Sequence, residues 1–148
     1  MSNEASRKED RKEAFAAWLR LARFVKRSEQ EGAERLRKWN MSVPQSELIG
    51  HIGDAKARGI IQQDLAERML STQGNISQLL QGLEQRGLIR REKRGRTNRV
   101  TLTKGGEALY QEVVPTQINW HIGQFDALSD AELKELLKLL RKLDQRTD

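Results

Sequence analysis

Residues 62–102 hold two short helical patterns joined by a tight turn and followed at once by two shorter extended stretches, a succession that few folds accommodate. The first pattern runs from Gln62 to about Met69, with Leu65, Ala66 and Met69 on its apolar side. Leu70-Ser71 is too short to be more than a turn, and Thr72 stands where a helix N-cap is expected. The second pattern continues to about Arg86, with Ile76, Leu79, Leu80 and Leu83 at three- and four-residue spacing. Gly87 follows in the position where a left-handed C-cap is common. Leu88 to Lys93 and Asn98 to Leu102 then flank Arg94-Gly95, and a small β-hairpin is predicted there.

The flanks are helical. Residues 5–38 contain no Pro and are rich in Ala, Glu, Lys, Arg and Leu, and Phe15, Trp18, Leu19, Ala22 and Val25 form one apolar stripe. Gly32 weakens that run without ending it. Ser42 is placed to cap a second helix with Pro44 in its first turn and Leu48, Ile49 and Ile52 on its core side. A fifth helix is predicted from Lys104, carrying Leu109, Val113, Ile118, Ile122 and Phe125, with Pro115 expected to kink or interrupt it. Ser129-Asp-Ala-Glu132 reads as a capping box for a last helix, whose seam is Leu133, Leu136, Leu137, Leu140 and Leu143. The order is four helices, a hairpin and two more helices, a mostly α chain with a small β wing.

Charge points to a partner. Residues 86–104 carry eight bases (Arg86, Arg90, Arg91, Lys93, Arg94, Arg96, Arg99 and Lys104) against Glu92 alone. That segment is +7 in a chain of net +6, so the other residues sum to −1. One concentrated positive feature on an otherwise neutral protein fits a phosphate backbone better than a general solubility bias. A short helix, a tight turn, a second helix and a basic hairpin describe a winged helix-turn-helix, in which the second helix enters the major groove of double-stranded DNA. With Ile76, Leu79, Leu80 and Leu83 turned inward, Gln73, Gly74, Ser77, Gln78 and Gln81 face outward without an acid among them. Amide side chains can read adenine with two hydrogen bonds. The recognition set is therefore Thr72, Gln73, Gly74, Asn75, Ser77 and Gln78, with Arg94, Arg96 and Arg99 in the wing and Arg86 on a phosphate.

The stretch QQDLAERMLSTQGNISQLLQGLEQRGLIRREKRGRTNRVTLTKGGEAL resembles the core of the MarR family of bacterial transcription factors. The likeness rests on Asp64-Leu65-Ala66-Glu67-Arg68, on Ile76 with Leu79 and Leu80, on Leu83-Glu84 with Arg86-Gly87-Leu88-Ile89, and on Leu102-Thr103 with Gly106. The closing LSDAELKELLKLLRKL is similar to the family's last helix. The resemblance implies a homodimer in which 1–41 and 104–148 supply the dimerisation helices and 42–103 the DNA-binding domain. It implies a repressor on a near-palindromic operator. It also implies a small anionic aromatic or lipophilic effector held between the dimerisation helices and the DNA-binding lobe. Trp39, His51, Trp120 and His121 are the candidates for that pocket, the competing reading giving the tryptophans to core or dimer contacts and the histidines to the surface or to satisfied core positions. Family wings commonly carry Asp-x-Arg; here Arg94-Gly95-Arg96 falls in that place, so Arg96 takes the minor-groove role, with Arg94 or Arg99 sharing it. Ile61 stands where the family often has a capping Thr.

Other classes have little support. The chain has no Cys, which excludes disulfides, thiolate metal sites and thiol-based sensing. Two His far apart in sequence do not make a metal site. No Gly-rich phosphate loop or nucleophile–base constellation is present, so neither an enzyme nor a cofactor is expected. The N-terminus lacks the apolar segment of a secretory signal, and a cytoplasmic location without membrane attachment is the expectation. The main alternative is an architectural or protein-binding winged-helix module without operator specificity.

Overall fold

Side-chain caps mark where most of the helices begin. The computed structural model describes residues 2–145. Helix α1 (Ser2–Leu36) passes into a 3-10 turn, Arg37–Trp39, and ends at Asn40 in a left-handed conformation (φ 51°). Ser42 and Gln45 form a reciprocal capping box at the start of α2 (Val43–Asp54), with Pro44 in its first turn. A second 3-10 turn, Lys56–Arg58, leads into β1 (Ile60–Ile61) and α3 (Gln62–Arg68). Thr72 caps α4 (Gln73–Gln85), accepting from the Asn75 amide at 3.1 Å. Strands β2 (Ile89–Arg94) and β3 (Thr97–Leu102) follow. Thr103 then caps α5 (Lys104–Gly123), and the predicted Ser129–Glu132 box starts α6 (Asp130–Asp144).

The core forms where the helix-turn-helix meets the sheet. Leu48, Ile49 and Ile52 of α2, Leu65 of α3, Ile76, Leu80 and Leu83 of α4, Val100 of β3 and Val113 of α5 are fully buried. Leu36 joins them from the end of α1, so the long helix is anchored by its last turn. The sheet has the order β1-β3-β2, all antiparallel, with Ile60 opposite Val100 and Arg94 opposite Thr97 at the hairpin tip. Gly106 lies in the first turns of α5, where a Cβ would overlap the carbonyl oxygen of Leu88; only glycine lets the helix start so close to the wing.

One element was not expected, and of the two alternatives for Pro115 one is excluded. Strand β1 is an addition, a two-residue element paired across the fold to β3. Pro115 does not interrupt α5, which is continuous from Lys104 to Gly123. The proline removes the amide that would bond the Gln111 carbonyl, but both residues are exposed, so water can take the freed acceptor.

Outside this core, large apolar side chains of α1, α5 and α6 stay open in the single chain. Phe15, Trp18 and Val25 of α1 are 62%, 61% and 51% exposed, and Ile118 and Ile122 of α5 are 51% and 62% exposed. Leu133, Leu137 and Leu143 of α6 are exposed as well. No helix among the described residues is long and apolar enough to cross a membrane.

Candidate nucleic-acid interface

Helix α4 presents an uneven polar face. Burying Ile76, Leu80 and Leu83 turns Gln73, Gly74, Gln78 and Gln81 to solvent. Gly74 has open space where a Cβ would be, so nothing within the protein requires glycine there. Thr72 and Asn75 are exposed but committed. The Thr72 hydroxyl caps the helix, and the Asn75 amide nitrogen donates to the Ser71 hydroxyl at 2.8 Å. Ser77, expected to face outward freely, is half-buried beneath Arg91, whose guanidinium reaches its hydroxyl at 3.4 Å. Gln73 and Gln78 are thus the two amide side chains of the predicted set held by no hydrogen bond among the described residues.

The wing lies beside this face and is fastened to it. Arg91, on β2, donates to Glu84 of α4 at 3.1 Å with its side chain only 21% exposed. Hydrogen bonds from Arg91 hold the Glu84 carboxyl below the usual glutamate value. Sequence reasoning counted Arg91 among the bases and missed this role. Strand alternation carried the signal, since Arg91 lies two residues beyond buried Ile89 and so on the same side of β2. At the tip, Gly95 takes φ +60° in the two-residue turn between the strands.

The other predicted arginines divide. Arg96 is exposed, with no hydrogen bond or ion pair among the described residues. Arg94 is exposed and paired loosely with Glu92 at 3.4 Å. Arg99 is half-buried and donates to the Arg58 carbonyl at 2.8 Å, tying β3 to the turn before β1. Between these elements lies a groove of ≈ 520 Å³ lined by Arg58, Arg94, Arg99 and Glu92. Arg86 is held by the protein's own backbone, donating to the Trp39 and Asn40 carbonyls at 2.9 and 2.8 Å. It closes the end of α1 onto α4, and only the remaining donors of its guanidinium are open to a phosphate.

A separate cavity of ≈ 240 Å³ opens between α1, α2 and α5. Trp120 and His121 line it, their rings 4.8 Å apart; Trp39 and His51 do not. Trp39 packs against the core with the Lys38 ammonium 4.0 Å from its ring centre, and His51 lies half-buried one turn after Glu47 on α2. The predicted four thus separate into a pair at the cavity and two residues elsewhere.

This geometry has close counterparts. Residues 39–99 match the model of the MarR family. An uncharacterized HTH-type transcriptional regulator of Bacillus cereus is 33% identical over 132 residues, covering 88% of each chain. Among solved structures, the MepR–DNA complex of Staphylococcus aureus superposes with a TM-score of 0.80 at 20% identity, over 90% of this chain and 98% of that one. AbsC, a MarR family transcriptional regulator from Streptomyces coelicolor, gives 0.81 at 20% identity, over 88% and 90%. At such identities the two structures speak to the fold alone.

Proposed function

The chain belongs to the MarR family of winged-helix transcriptional regulators, and from that premise we propose that it acts as a homodimeric repressor on a near-palindromic operator. The observation that carries this reading is the free amide face of α4 beside a wing whose Arg96 and Arg94 side chains are exposed. Gln73 and Gln78 read base edges in the major groove, Gly74 lets the backbone approach the groove wall, and Arg96 enters the adjacent minor groove. Thr72, Asn75 and Ser77 shape and cap the helix, contacting phosphates with what donors they have left. Arg99 and Arg86 position the wing and helix and reach the backbone secondarily.

In this reading 42–103 binds DNA, while 1–41 and 104–148 pair two copies. The apolar faces of α1, α5 and α6, open in one chain, are what a second copy would cover. Two-fold pairing presents two α4 helices to half-sites about one DNA turn apart. A small ligand in the cavity between α1, α2 and α5 releases the operator by favouring a spacing of the two helices that does not match it.

The experiment is selection of bound duplexes from a random pool, followed by affinities at two salt concentrations. A palindromic consensus bound far above random DNA is the expected result. Arg96→Ala should then weaken all sequences and lower the salt slope by about 1 per wing, whereas Gln73→Ala or Gln78→Ala should change base preference by ~1–3 kcal/mol. Steeply salt-dependent binding without a consensus would instead identify an architectural module.

A further inference from the structure

The wing has a second face, turned away from α4. Arg91 pairs with Val100 across the hairpin, and both lie on the side packed against the helices. Alternation therefore puts Glu92 and Arg94 of β2, with Arg99 and Thr101 of β3, on the other side. There they line the ≈ 520 Å³ groove, and Ala57 and Arg58 of the turn before β1 form its far wall. Arg58 stands outside the basic run 86–104, and folding brings it there through two contacts. The Arg99 guanidinium donates to the Arg58 carbonyl at 2.8 Å. Gly59, at φ +70°, seats the turn on β3, where a Cβ would come within 2.7 Å of the Val100 carbonyl oxygen. The groove thus sets three guanidiniums against the one carboxylate of Glu92, which Arg94 already pairs. Asp54 and Asp64 border an adjoining depression with Arg58 and Arg99 but form no ion pair with either among the described residues. The Arg58 side chain is exposed, and among the described residues it makes no hydrogen bond.

We propose that this groove is a second phosphate-binding surface, on which Arg58 and Arg99 hold the DNA backbone that borders the minor groove on the side away from α4. The inference rests on the DNA-binding reading above and adds to it a contact from outside the helix-turn-helix and the hairpin. A minor groove is about 6 Å wide with a sugar-phosphate wall on each side, so a hairpin tip within it meets both walls. Lys93, exposed on the side nearer α4, serves one wall. The other wall needs positive charge on the far side of the hairpin, and Arg58 with Arg99 supplies it. Arg58 has its whole guanidinium to offer, and Arg99 has the donors not spent on the Arg58 carbonyl. Guanidinium forks match the oxygens of a phosphate, and a surface on this side of the wing meets backbone before it meets base edges.

Fluorescence anisotropy with the full chain tests this on two duplexes of equal length, the operator recovered by selection and an unrelated sequence. A phosphate contact carries no sequence, so Arg58→Ala should lower the slope of log affinity against log salt on both, by about 1 per copy bound. Affinity at moderate salt should fall about tenfold, while base preference stays as in the parent chain. The substitution keeps the carbonyl that Arg99 uses, so the wing stays anchored. Arg58→Lys should restore the slope, because lysine keeps the charge. Methylphosphonate placed at one position at a time along the operator locates the contact. One neutralised phosphate, in the wall of the minor groove farther from the half-site read by α4, should weaken the parent chain and not Arg58→Ala. A slope unchanged by Arg58→Ala, a loss that Arg58→Lys does not restore, or the same methylphosphonate pattern in both proteins overturns the proposal. Equal affinity of the parent chain for the two duplexes overturns operator recognition instead, and the slope still decides the role of Arg58.

Discussion

Arg86 and Glu84 lie two residues apart at the end of α4, and each joins that helix to a different neighbour. Arg86 satisfies two carbonyls exposed by the end of α1 and the turn after it, at 2.9 and 2.8 Å. Removing it as Arg86→Ala leaves both carbonyls to water and should lower stability by ~1–3 kcal/mol in urea denaturation. Arg86→Lys separates structure from binding. Lysine keeps the charge but not the two-pronged geometry, so the stability loss should persist while any phosphate contact is retained. Glu84 is the acceptor of Arg91, and its pKa is lowered from 4.5 by that guanidinium. A depressed carboxylate contributes stability that is present above 4.5 and lost as pH falls through the lower folded value. Glu84 is largely open to solvent, so the contribution is screened. Glu84→Gln should cost under about 1 kcal/mol at pH 7, and the difference should vanish in acid melts. A constant difference across that range would remove the ion pair from the account of how the wing is held.

At the scale of elements, α4 shows where folding and binding pull in opposite directions. Gly74 sits in its first turn with open space around it, so Gly74→Ala should stabilise the helix by ~0.5 kcal/mol in thermal melts. The same methyl on a face that must approach a groove wall should weaken operator binding. Unchanged affinity would show that the backbone does not come close there. Helix α4 and its cap were legible because local chemistry specifies them, Thr72 at one end and Gly87 at φ +72° at the other. The hairpin was legible for the same reason, since one glycine between two short extended runs fixes its tip. Strand β1 was not. Two residues leave no periodic pattern, and the partner of Ile60 lies forty residues away at Val100. Whether Pro115 would interrupt its helix was not legible either, because that depends on whether the freed carbonyl meets solvent, which only the packed helix decides. The candidate site divides along the same line. Side-chain type and spacing pointed to Gln73 and Gln78, and family resemblance to Arg96, whereas the engagement of Arg86, Arg91, Arg99 and Ser77 arises from contacts between elements and appears only in three dimensions.

For the whole molecule, the question is what covers the open helix faces. The described chain buries its core around α2–α5 and leaves Phe15, Trp18, Ile122, Leu133 and Leu137 in contact with solvent. Leu137 is 47% exposed, so placing a charge there adds little strain to a single folded chain. If α6 is part of the seam between two copies, Leu137→Glu sets two carboxylates into an apolar interface, and light scattering should show a shift toward monomer. DNA binding then reports the same event independently. A monomer offers one α4 and one wing, so the slope of log affinity against log salt should fall toward half as the phosphate contacts halve. The +7 carried by residues 86–104 makes that slope large enough to follow. A monomer that keeps the full slope would mean that one wing makes all the backbone contacts and the two-fold operator is wrong. A dimer that keeps its mass and its slope would place the seam on α1 and α5 instead, and Phe15→Glu with Ile122→Glu would be the pair to measure.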